Sequence, residues 1–151
     1  MTTPLLLPIT RYVAAGWLQL AVPGVGVDIE LPEADSTVRQ NGFIRTAAAG
    51  GSPDVYVPMR EPVVQVECWF PPPASGMQAS WARAEQLANR VLSATYNGAL
   101  MGRLIDLSTV GNYAPARVHT VTALSEPDAV EEDASDWSRF DVDLLFRWSP
   151  V

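Results

Sequence analysis

His119 and Cys68 are the side chains best suited to chemistry, and each is the single residue of its type. A Ser-His-Asp triad or a histidine metal site would have to use His119. It stands in "ARVHTVTAL", and neither a G-x-S-x-G elbow nor H-E-x-x-H accompanies it. A strand histidine on a half-exposed face is its expected role. Cys68 would need an electropositive, accessible setting to act as a nucleophile. It lies in "VVQVECWF", on the apolar side of a strand, where a thiol behaves as a small hydrophobe with a raised pKa. "PGVGVD" holds a G-x-G, but the third glycine is missing and the strand follows the glycines instead of preceding them. The carboxylates Glu126, Asp128, Glu131, Glu132, Asp133 and Asp136 lack the D-x-D-x-D-G order of an EF-hand loop. Nor do they form an isolated pair in an apolar pattern, as glycoside hydrolysis would require. The pattern offers no catalytic, cofactor or metal site, and none is expected.

The elements that would position these residues are clearer than any chemistry. Ile9, Tyr12, Val13, Gly16, Trp17 and Leu20 recur every three or four residues, predicting a helix over 8–20. Val25, Val27, Ile29 and Leu31 alternate with polar residues and predict a strand. Asn41-Gly42 reads as a turn, and Gly50-Gly51 as the turn of a long hairpin. Val64, Val66, Cys68 and Phe70 make an apolar strand face opposite Val63, Gln65, Glu67 and Trp69. Three prolines, Pro71 to Pro73, then end that strand, because proline has no N–H for a ladder. Trp81, Ala84, Leu87, Ala88, Val91 and Tyr96 follow at helical spacing, with Asn97-Gly98 as the stop. "ARVHTVTAL" predicts a strand, "SEPDAVEEDASDWS" a solvated acidic loop, and "RFDVDLLFRW" a closing strand of strict alternation. The order α-β-hairpin-β-α-β-β predicts a single α+β domain, a mostly antiparallel sheet with two helices packed on it.

The chain of 151 residues is long enough for one substantial core. A net charge of −7 argues against binding to nucleic acid through a basic patch. It suits a surface that DNA slides past without sticking. All ten basic residues are arginine, which points to a GC-rich coding sequence. "MTTPLLLPITRY" has no basic n-region and no cleavage site, so no signal peptide is expected. No apolar run is long enough to span a membrane. Of the five tryptophans, Trp17, Trp81 and Trp148 fall on apolar faces and read as core. Trp69 falls on the polar face of its strand, where an exposed ring would be an interface anchor.

The block from "GFIRTAAAGG" through "EPVVQVECWF" to "AEQLANRVL" resembles the tail terminator (tail completion) proteins of long-tailed bacteriophages. "AAGWLQLAVPGVGVDIELP" is similar to that family's opening helix and strand, and "RFDVDLLFRW" to its closing strand. The proline-rich link "PPPASGMQASW" is longer than the family pattern. The resemblance implies a structural virion protein without cofactors, assembled in the host cytoplasm into a homo-oligomeric ring, a hexamer. Such a ring caps the tail tube protein, stops tail polymerisation and meets the head-tail connector or stopper. Genomic DNA would pass its lumen unbound. Glu131, Glu132 and Asp133 are candidates to line that lumen, and Trp69, Pro71, Pro72 and Pro73 to contact a neighbour. Two other readings are another neck protein of the same virion and a small ligand-binding α+β domain.

Overall fold

The computed structural model describes residues 6–53, 58–73, 80–131 and 136–151. Its elements in chain order are α1 (Thr10–Ala21), β1 (Gly26–Asp28), α2 (Ser36–Asn41), β2 (Phe43–Pro53), β3 (Arg60–Phe70), α3 (Ser80–Ala94), a 3-10 turn (Gly98–Leu100), β4 (Arg103–Ile105), β5 (Ala116–Ala123), β6 (Asp128–Ala129) and β7 (Ser138–Pro150). The sheet order is β1-β2-β3-β7-β5-β4, with β6 paired to β7. Only β1 with β2 is parallel among these named pairs; the others are antiparallel. The expected mostly antiparallel α+β architecture is the one observed.

One sheet face carries the core. Ile44 on β2, Val64, Val66 and Cys68 on β3, Val142, Leu144 and Phe146 on β7, and Val118 on β5 are fully buried. α3 lies over β3 and β7, while α1 lies over β1, β2 and β4. Strict alternation in β3 and β7 drives this, because a period of two puts every second side chain on the same face. Trp17 of α1 is fully buried, donates Nε1–H to the Leu100 carbonyl at 2.9 Å, and meets Phe146 edge-on at 5.6 Å between ring centroids. Thr46, also fully buried, donates its hydroxyl to the Arg11 carbonyl at 3.1 Å and ties β2 to α1.

Several local expectations are corrected. Asn41-Gly42 does not turn one strand into another. It ends α2, which Asp35 starts by accepting the Val38 N–H at 2.8 Å. Gly42 follows at φ 77°, a conformation open to glycine. Gly50-Gly51 is not the hairpin turn either. The two residues sit inside β2 where its register against β3 shifts, and β2 continues to Pro53, opposite Arg60. At Gly51, with φ 101°, an added Cβ would stand 2.5 Å from the Glu61 carbonyl oxygen, so only glycine lets the strands approach there. β1 is shorter than its alternating pattern, and Leu31 beyond it is exposed. The buried face of α1 is turned toward Ala14, Ala15 and Leu18, leaving Leu20 exposed. Trp81 and Tyr96, read as core, are 41% and 83% exposed.

The described start of the acidic stretch, 125–131, is not a free loop. β6 extends the line of β5 along β7: Asp128 pairs with Asp141, and Ala129 with Phe140. Leu124 N–H donates to the Asp143 carbonyl, and Val130 N–H to the Arg139 carbonyl. Glu126, Asp128 and Glu131 remain exposed on this stapled segment.

Candidate functional site

On the second face of the β2–β3–β7 strip, polar residues cover one another. Register places Arg45, Glu67 and Asp141 in one row across β2, β3 and β7, and Phe43, Trp69 and Arg139 in the next. Glu67 is 2% exposed. Its carboxylate accepts two hydrogen bonds from Arg45 Nη1, at 2.9 and 3.1 Å, and one from Trp69 Nε1 at 3.1 Å. Arg139 Nη2 stands 3.5 Å from Glu67 Oε2 and also forms a bidentate pair with Asp141 at 2.8 Å. Gln65 donates to Asp141 at 2.8 Å. Glu67 and Asp141 are like charges directly opposite each other, a destabilising pair on its own; Arg139 between them offsets it. Burial pushes the Asp141 carboxyl up, Arg139 pulls it down, and Glu67 and Asp143 push it up again.

Trp69 belongs to this network. It is 6% exposed, stacked under the Arg139 guanidinium at 5.1 Å and edge-on to Trp137 at 6.1 Å. The expectation of an exposed Trp69 is therefore corrected. Alternation placed it on the polar face, but residues about seventy positions later in the chain close over it.

The remaining candidates among the described residues gather at one end of the sheet. β3 leaves the ladder at Phe70, opposite Ser138, and Pro71 is buried while Pro72 and Pro73 are exposed. Glu131 follows Val130, which bonds to Arg139, the cross-strand partner of Trp69. Ser80 at the start of α3 shares a 2.7 Å hydrogen bond with Ser138, and Trp81 beside it lies against Phe140 at 6.1 Å. The fold thus brings an exposed proline pair, a half-exposed tryptophan and an exposed glutamate to one rim. Glu132 and Asp133 lie outside the described residues. Sequence reasoning missed the Arg45–Glu67–Arg139 bridge. Its one signal was Glu67, a charged residue set among the apolar Val64, Val66, Cys68, Trp69 and Phe70.

His119 and Cys68 sit where the pattern placed them. His119 is half-buried, with Nε2 2.9 Å from Ser149 Oγ, and among the described residues no carboxylate hydrogen-bonds its ring. Cys68 is fully buried on the core face, and that burial, reinforced by Asp141 and Glu67, pushes its thiol far up. In native protein Cys68 should resist a thiol reagent, then react fully once denatured. Rapid labelling of the folded chain, read by mass spectrometry, would contradict this. Among the described residues no cluster of His, Cys, Asp or Glu could hold a metal ion.

Three surface hollows lie among the described residues. One, of about 290 Å³, lies between α3, the Pro23-Gly24 turn and the end of α2. A second, of about 390 Å³, separates α1 from the Asp106–Val110 segment. A third, of about 440 Å³, lies between α3 and Glu126-Pro127. None encloses His119 or Cys68.

These features define a sheet-and-helix α+β domain whose polar groups chiefly hold strands together. No family model matches the chain, and no curated protein does. Among solved structures, a chain described as "Virion of native gene transfer agent (GTA) particle" is similar to it. The two share 17% identity over 91% of this chain and 93% of that one, with a TM-score of 0.52. At that identity the likeness is one of fold, and it extends over nearly the whole of both chains.

Proposed function

We propose that the chain is a structural subunit of a phage-like virion and that it works by adhesion, without catalysis. The observation that carries this reading is the near full-length fold likeness to a chain of a gene transfer agent virion. It is consistent with the sequence resemblance to tail terminators, which rests on different information. In this reading copies form a ring at the end of the tail tube, halt its growth and meet the head connector. The rim of Pro72, Pro73 and Trp81 is the contact surface toward the tube, and the acidic run of Glu131, Glu132 and Asp133 faces the channel. There its carboxylates repel phosphates, so DNA passes without adhering.

Electron microscopy of particles labelled with an antibody to the chain tests the assignment. Label confined to the junction of head and tail is the expected result. Label along the whole tail, on the capsid, or on no particle would overturn it.

A further inference from the structure

The outer ridge of α3 runs between two hollows of opposite charge. On one flank Ala82, Glu85 and Asn89 look across an open groove at Glu126 and Pro127. On the other, Arg83 and Arg90 border the hollow beside the Pro23-Gly24 turn, and Gln86 borders both. At 3.6 residues per turn the two stripes lie roughly 120° apart around the helix axis. Arg83 is fixed in place: it donates to the carbonyls of Arg39 and Gln40 at the end of α2 and stacks on Phe70 at 4.3 Å. Arg90 is exposed, and among the described residues it has no carboxylate partner; Glu85 and Glu126 have no cationic one.

We infer that these flanks are the two halves of a contact between copies of this chain, the acidic groove of one receiving the arginine flank of the next. The inference rests on the proposed ring and names the surface that builds it. A chain of net charge −7 repels its own copies over most approaches. An arginine pair beside a helix ridge, with an unpaired acidic groove on the other side, gives one approach where the charges attract. The patches differ, so the contact is head-to-tail, and every pairing leaves one free patch at each end until the assembly closes. A closed ring satisfies all of them.

The test is native mass spectrometry of the purified full chain across a concentration series, at low and high salt. Wild type should form one closed oligomer, weakened by salt. Arg90→Glu or Glu85→Arg should each raise the concentration needed for assembly about tenfold or more, since each sets like charges face to face. The chain carrying both changes should recover assembly to within a few-fold, which also shows that each altered site is compatible with folding. An equal mixture of the two single variants should assemble too, in rings of even number. If wild type forms rings and the single variants match it, this surface is wrong and the ring reading stands. Discrete twofold dimers in place of closed rings overturn the head-to-tail contact. A wild-type chain that stays monomeric alone and with tail tubes overturns both.

Discussion

A Glu67→Ala chain should unfold roughly 10 °C below the parent, corresponding to a loss of about 3 kcal/mol, the low end for a buried ion pair stripped of one partner. The low end applies because Arg45 is more than a third exposed and can turn to water, whereas Glu67 is nearly sealed. Removing the carboxylate leaves Arg45 Nη1 and the Trp69 N–H without their acceptor, and takes one anionic partner from Arg139. Glu67→Gln keeps the shape and one acceptor and should fall between the two. Thermal unfolding followed by circular dichroism measures both. An alanine variant melting within about 2 °C of the parent, less than 1 kcal/mol on this scale, would show that the bridge does not hold β2, β3 and β7 together.

The larger loss is expected at Trp17. Trp17→Ala removes a fully buried indole from between α1 and the sheet, which costs about 3–5 kcal/mol for an aromatic-to-alanine change. It also strands the Leu100 carbonyl at the 3-10 turn, a buried acceptor worth about 1 kcal/mol or more when left unpaired. Trp17→Phe largely separates the two effects, since it keeps a six-membered ring against Phe146 and loses the N–H with the rest of the indole. Urea denaturation should therefore rank parent, Phe variant and Ala variant in that order, with the Ala variant marginal or unfolded at ordinary temperature. Equal midpoints for the Phe and Ala variants would mean that the hydrogen bond, and not ring burial, carries the site.

Both residues bear on how much the sequence revealed. β3, α3 and β7 were legible because one periodicity holds over eight or more residues in each, long enough to fix which face is buried. α2 was not, because "STVRQN" offers a single apolar anchor, Val38; its boundaries are written only in the cap residues Asp35 and Gly42. β4 and β6 are three and two residues long, and their strand character comes from the partners they lie against. Gly50-Gly51 resembled a hairpin turn because a bulge and a turn ask glycine for the same backbone freedom.

The candidate site was legible in kind but not in placement. Alternation put Trp69 and Glu67 on the second face, which is correct, and made that face solvent-exposed, which is not. What seals it is Arg139 and Trp137, brought in by pairing between β3 and β7. Long-range pairing of that kind leaves no trace in the local pattern. Conversely, Pro72, Pro73 and Glu131 are exposed as expected while Pro71 is buried, and the fold adds what no spacing could show, that the exposed three share one rim.

The central claim is that this subunit finishes a tail by sticking to its own copies and to the end of a tube. Deleting its gene from the genome that encodes it, then imaging the lysate by electron microscopy, tests that most directly. The account predicts free heads together with unattached tails of irregular or excessive length, restored to joined particles when the chain is supplied in trans. Joined particles with tails of normal, uniform length in the absence of the chain would contradict it.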